Sequence, residues 1–229
     1  MVTFFAAAGR YELRHTPEGQ YPVVILREEE HVLDIQEMIL WSSAMWSVPA
    51  YDELLREFAR KEREAHVLGD VSFNGYLKRL MQRGLVVSGR GYTAAEALYA
   101  LVAKLRVFPL REGLPVKLAA FIHLTFERKL PLAVTKKIFA RTQMTPLEQS
   151  LFALSEQALL TTEELIRLID QDVKDISTEA KLLTTLYPGG PPAPEKGVNF
   201  DYALSPNRLE VTQAVVNLYL QKRILFEPI

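Results

Sequence analysis

Cysteine is absent from the 229 residues, which excludes disulfides, zinc ribbons and thiol catalysis in one step. No stretch approaches the ~18 consecutive apolar residues of a membrane-spanning helix, and the amino terminus MVTFFAAAGRYEL lacks the basic start of a secretory signal. The expectation is a cytoplasmic protein with no membrane partner. Histidine is scarce and scattered, at His15, His31, His66 and His123. No HExxH pair, GxSxG elbow, GxxxxGK(S/T) loop or GxGxxG fingerprint occurs. Glu28-Glu29-Glu30 and Glu163-Glu164 are adjacent carboxylates that diverge on a helix or loop rather than converge on a metal. No catalytic site, metal or cofactor is therefore expected. A dominant charge is also missing: 27 Lys and Arg against 28 Asp and Glu leave a net charge of −1. That balance argues against a protein that coats nucleic acid indiscriminately.

What is present is ordinary in bulk, with 48% hydrophobic and 24% charged residues, and is long enough for one large or two modest cores. The informative stretch is 70–105. Phe73, Leu77, Leu80 and Met81 recur at helical spacing and form an apolar stripe, while Ser72, Gly75, Lys78, Arg79 and Gln82 fall opposite. Asp70 suits the N-cap. Gly84 follows the last periodic residue, where a left-handed cap is easiest. Leu85-Val86-Val87 predicts a strand that turns at Gly89-Arg90-Gly91 and returns at Tyr92. Thr93, with Glu96 three residues on, has the capping-box spacing that opens a helix over 94–105. Between 70 and 106, Lys78, Arg79, Arg83, Arg90, Lys104 and Arg106 face only Asp70 and Glu96, so positive charge is concentrated locally.

The segments Tyr76-Leu77-Lys78-Arg79-Leu80-Met81-Gln82-Arg83-Gly84-Leu85-Val86-Val87 and Gly89-Arg90-Gly91-Tyr92-Thr93 resemble the recognition helix and wing of winged-helix DNA-binding domains, in the manner of MarR-like and PadR-like bacterial regulators. The resemblance spans residues 30–108. It implies a recognition helix over 70–83 in the major groove and a wing over 87–92 on the minor groove or backbone. The candidate DNA-binding residues are then Ser72, Gly75, Lys78, Arg79, Gln82, Arg83 and Arg90. Arg79 and Gln82 have the groups that read guanine and adenine edges, and Lys78 and Arg83 suit phosphates. Gly75 lets the backbone approach closely. Arg90, between two glycines at the wing tip, reaches a minor groove or a phosphate. The competing interpretation is a solvated basic helix face.

Around this stretch, 10–26 predicts a β-hairpin that turns at Thr16-Pro17-Glu18-Gly19. A helix over 32–48 is apolar on two sides and stops at Pro49, and a second covers 51–65 with Leu54, Leu55 and Phe58 inward. Pro109, Gly113 and Pro115 place a domain boundary near 112. The chain thus divides into 1–112, hairpin plus winged helix, and 113–229, mostly helical, with a helix order that also suggests a degenerate second winged helix. Helices are expected over 116–128, 132–141, 146–159, 163–172 capped by Thr162, 178–187 and 209–222. A Pro/Gly-rich loop follows at 188–197, a strand at 198–204, and an apolar tail at Ile224-Leu225-Phe226. The fold class is mainly α with small β, α+β.

These features predict a sequence-specific DNA-binding protein, a transcriptional regulator whose partner is double-stranded DNA. A homodimer is expected, with its seam on 32–48, through Trp41 and Trp46, or on 209–222, through Val211, Val215, Leu218 and Tyr219. Met38 and Met45 beside the tryptophans favour packing over an effector pocket, and the second domain is expected to serve dimerisation or ligand sensing. The alternative is an adaptor whose winged helices bind protein in a replication, segregation or mobile-element complex. It rests on the neutral total charge and on an acidic run over 145–180, where Glu148, Glu156, Glu163, Glu164, Asp170, Asp172, Asp175 and Glu179 face only Arg167 and Lys174.

Overall fold

The computed structural model describes residues 1–16, 19–67, 71–110, 144–176, 178–186 and 205–229. The helices expected over 116–128 and 132–141, the loop at 188–197 and the strand at 198–204 lie outside the described residues. What is described combines helices with small antiparallel sheets, an α+β arrangement. Among the described residues no helix is long and apolar enough to cross a membrane.

The chain opens with β1, Val2–Ala7. Gly9, at φ +87°, turns it into the hairpin β2, Arg10–Thr16, and β3, Gly19–Leu26, the pair expected over 10–26. Arg27 and Glu28 then take positive φ, 51° and 68°, and reverse the chain into a third strand, β4, Glu29–Val32. Val32 therefore belongs to a strand, and the helix expected from that residue begins later. It is α1, Ile35–Ala44, started by a capping box in which Asp34 and Glu37 satisfy each other's backbone N–H. Helix α2, Tyr51–Ala65, has the expected bounds and buries Leu54 and Phe58. Helix α3, Phe73–Gln82, is capped by Ser72; Asp70, expected in that role, lies outside the described residues. Gly84 adopts φ +72° at its end, as a left-handed cap requires.

The wing is not formed. Residues 86–91 make one uninterrupted strand, β5, Val86–Gly91, which pairs antiparallel with β1 from Val2↔Gly91 to Ala7↔Val86. No hairpin turns at Gly89-Arg90-Gly91. Alternate residues of a strand face opposite sides, and Gly89 and Gly91 face α4, Ala94–Val102. A Cβ on Gly89 would stand 2.2 Å from the Leu101 amide nitrogen, and one on Gly91 2.5 Å from that of Ala97. Glycine is present because a helix lies directly on the strand backbone. Thr93 and Glu96 form the expected capping box of α4, but the helix ends at Val102 rather than 105.

Leu105 instead begins β6, Leu105–Pro109, the centre of a sheet ordered β7-β6-β8, with β7 at Leu160–Thr161 and β8 at Ile224–Pro228. Strands from both sides of residue 112 thus share one sheet. Between them, α5, Pro146–Gln157, carries the expected cap, Thr145 with Glu148. Helix α6, Thr162–Asp170, is capped by Thr161 rather than Thr162, because the Thr161 hydroxyl and Glu164 form its box. Helices α7, Glu179–Leu186, and α8, Arg208–Leu220, follow. The buried side chains form one continuous cluster from Phe5 to Phe226. At its centre the Tyr219 hydroxyl lies 2.9 Å from the Ala7 carbonyl and 3.2 Å from that of Ala44, its ring stacked on Phe226 at 4.3 Å. Trp41 donates to the Ala8 carbonyl at 3.0 Å.

That core corrects the expected dimer seam. Trp41, Trp46, Val211, Val215, Leu218 and Tyr219 are all buried within one chain, because α8 has α4, α5 and α6 packed around it. Two apolar faces found both partners inside the molecule.

Candidate nucleic-acid interface

Helix α3 contains no acidic residue. Its inner face, Tyr76, Leu77 and Leu80, is buried, and Phe73 continues an aromatic row: Phe5 to Tyr51 at 6.4 Å, Tyr51 to Phe73 at 5.6 Å, Phe73 to Phe58 at 5.4 Å, Phe58 to Tyr76 at 6.2 Å. These contacts fix the helix against α2 and β1 and decide which residues point out. Ser72, Asn74, Lys78, Arg79, Met81 and Gln82 are the exposed positions.

The candidate residues divide by what they touch. Ser72 accepts from the Gly75 N–H at 3.3 Å and serves the helix start. A Cβ at Gly75 would come within 2.4 Å of Val71 Cγ1, a side chain that is itself exposed, and would meet no backbone atom of another element. Lys78 and Gln82 are exposed and make no ion pair or side-chain hydrogen bond among the described residues. Arg79 lies over the Tyr76 ring at 5.1 Å and 3.7 Å from both Asp34 and Glu37, a loose arrangement that leaves its guanidinium at the surface.

Arg83 is held more firmly. It bonds the Glu37 carboxylate at 3.0 Å and the Val32 carbonyl at 2.8 Å, and the Glu37 side chain is 6% exposed. Arg83 therefore ties the end of α3 to the end of β4 and the start of α1. The role expected for it, a phosphate contact, competes with this pairing. Beside it, burial first and the Arg83 charge second hold the His31 imidazole below its ordinary range.

Arg90 does not sit at a wing tip. It is exposed on β5 opposite Thr3, and Ser88 stands opposite Phe5, so Arg90 and Phe5 share one face of the two-stranded sheet. That is the face on which Phe5 meets Tyr51, whose hydroxyl donates to Asn74 of α3 at 2.7 Å. The structure thus brings Ser72, Lys78, Arg79 and Gln82 onto one helix face, leaves Arg90 exposed on the sheet face that also carries Phe5, and withdraws Arg83 inward. Sequence reasoning missed Asp34 and Glu37 as partners of the arginines. Their D-x-x-E spacing signals a helix start, but nothing local announces that α3 will lie against it.

Among the described residues no group of three His, Asp or Glu is placed to hold a metal. No known protein family, curated protein or solved structure matches the chain.

Proposed function

We propose that this chain is a sequence-specific DNA-binding protein, a transcriptional regulator, that docks the outward face of α3 in a major groove without the help of a wing. The observation that carries the reading is a helix free of acidic residues, fixed by its aromatic inner face, which turns Lys78, Arg79 and Gln82 to solvent. Gln82 and Arg79 are the base-reading groups, and Lys78 and Arg90 are the phosphate contacts. A chain of net charge −1 needs such a local concentration of cations to hold a phosphate backbone. Selection from a pool of random duplexes tests the reading: one enriched sequence is expected, and a pool that stays random after repeated rounds contradicts it.

A second reading, an interaction adaptor that binds protein, is favoured by a different observation. Arg79 and Arg83 face Asp34 and Glu37, which lowers the positive potential of α3, and Val32 and Ile35 next to them stand 62% and 50% exposed. A stoichiometric protein partner recovered by pull-down, with no salt-sensitive duplex binding, supports the adaptor over the regulator.

A further inference from the structure

We propose that the outer edge of β2 pairs with the same edge of a second copy of this chain, joining two β2–β3–β4 sheets across a two-fold axis at Leu13. β2 is the outermost strand of its sheet, and among the described residues no strand pairs with its far side. Its seven residues run in unbroken register with β3. They include no proline and no bulge, and the charges they do carry, Arg10, Glu12 and Arg14, are of both signs. The opposite edge of the sheet, β4, is shorter and carries Glu29 and Glu30, which would set acid near acid in a second copy.

Two independent features are symmetric about Leu13. The first is hydrogen bonding. Pro22 stands opposite Leu13 in the β2–β3 pair, and proline has no N–H to exchange. That pair is therefore a non-hydrogen-bonded one, and Leu13 turns its own N–H and C=O toward the outer edge. The second is charge. Glu12 and Arg14 flank Leu13, so an antiparallel partner centred there sets Glu12 of each copy opposite Arg14 of the other.

The two features reinforce each other. Because Leu13 would meet its counterpart as a hydrogen-bonded pair, the Glu12–Arg14 contacts fall at non-hydrogen-bonded positions, where facing side chains approach most closely. Centring the axis on Glu12 or on Arg14 would oppose like charges instead, and centring it on Tyr11, which also opposes unlike charges, would pair only three of the seven strand residues. Within the chain the Glu12 carboxylate already lies 3.0 Å from Arg10 and 3.0 Å from Arg14, and Arg14 also pairs with Glu30. The charged row is thus held along the edge before a partner arrives. This seam needs neither of the buried helices, and it is independent of whether α3 binds DNA.

Charge reversal on the full chain tests the seam. Light scattering across a concentration series is expected to show the wild type rising from 26.0 kDa to twice that mass. Glu12→Arg alone sets arginine against arginine, and Arg14→Glu alone sets glutamate against glutamate, so each variant is expected to remain at the monomer mass. Mixing the two restores opposite charges at both positions and is expected to restore the dimer. A wild type of constant monomer mass, dimers that persist in both single variants, or folded variants that fail to associate when mixed would each overturn the proposal. If either variant does not fold, amide exchange at Leu13 in the wild type decides: protection that grows with concentration supports the seam, and protection independent of concentration overturns it.

Discussion

Arg83 and Glu37 form an ion pair at 3.0 Å across 46 residues of sequence, and that contact ties the end of α3 to the start of α1. Glu37 is almost wholly buried and also closes the capping box of α1, so removing Arg83 leaves its carboxylate with only the Asp34 N–H at 3.3 Å and Arg79 at 3.7 Å. Arg83→Ala is expected to cost about 1–3 kcal/mol in denaturant unfolding, as loss of one partner of a buried polar group does. Arg79→Ala, whose pairs are longer and whose side chain is half exposed, is expected to cost under about 1 kcal/mol. Equal effects for the two arginines would contradict the division of labour drawn between them.

Gly89 and Gly91 separate a packed strand from a flexible wing. With α4 backbone atoms 2.2 Å and 2.5 Å from the added methyl positions, neither site can take a Cβ without moving the helix. Gly89→Ala is expected to destabilise by more than about 3 kcal/mol, the upper range for overpacking, whereas Arg90→Ala leaves the unfolding midpoint unchanged. At a solvated wing tip with ordinary backbone angles the same glycine substitution would be neutral or stabilise by about 0.4–1 kcal/mol, and thermal unfolding distinguishes the two.

The segments that were legible in the sequence are those whose determinants are local. Helix α2 has an amphipathic pattern and a proline before it, and Thr93/Glu96 and Thr145/Glu148 cap through neighbours three residues away. The misread segments depend on distant partners. The alternation in Val86–Gly91 is the same whether the strand folds back on itself or pairs with β1, and only contact with α4 explains its glycines. Leu105–Pro109 reads as a helix end running into a domain boundary until β8, more than a hundred residues later, pairs with it. The turn at Arg27 and Glu28 lacks the Gly or Asn that usually marks positive φ. For the candidate site, the outward face of α3 was visible as a period, whereas the loss of Arg83 to Glu37 was not.

His31 gives the pH dependence a sign. Its imidazole is held below the ordinary value of 6.5, so the folded chain favours the neutral ring. Stability from this group is present above the ordinary value and is lost as pH falls through the folded one. The wild type is expected to lose thermal stability between about pH 7 and about pH 5, and His31→Gln to lose less over the same window. Identical profiles would show that burial and the neighbouring Arg83 charge do not hold His31 neutral in the fold.

Tyr219 places one hydroxyl between the carbonyls of Ala7 and Ala44, joining α8 to β1 and α1. Tyr219→Phe keeps the stack on Phe226 and removes only the donor. A loss of about 1–2 kcal/mol is expected from unfolding in denaturant; no loss would mean that the carbonyls find other donors.

The salt dependence of duplex binding tests the central claim most directly. Using the duplex enriched from a random pool, the logarithm of affinity is measured against the logarithm of salt concentration for the wild type and for Lys78→Ala combined with Arg79→Ala. Loss of the phosphate contact at Lys78 and the base contact at Arg79 is expected to weaken binding and to reduce the slope by about 1. A double variant with the affinity and slope of the wild type would contradict docking through α3.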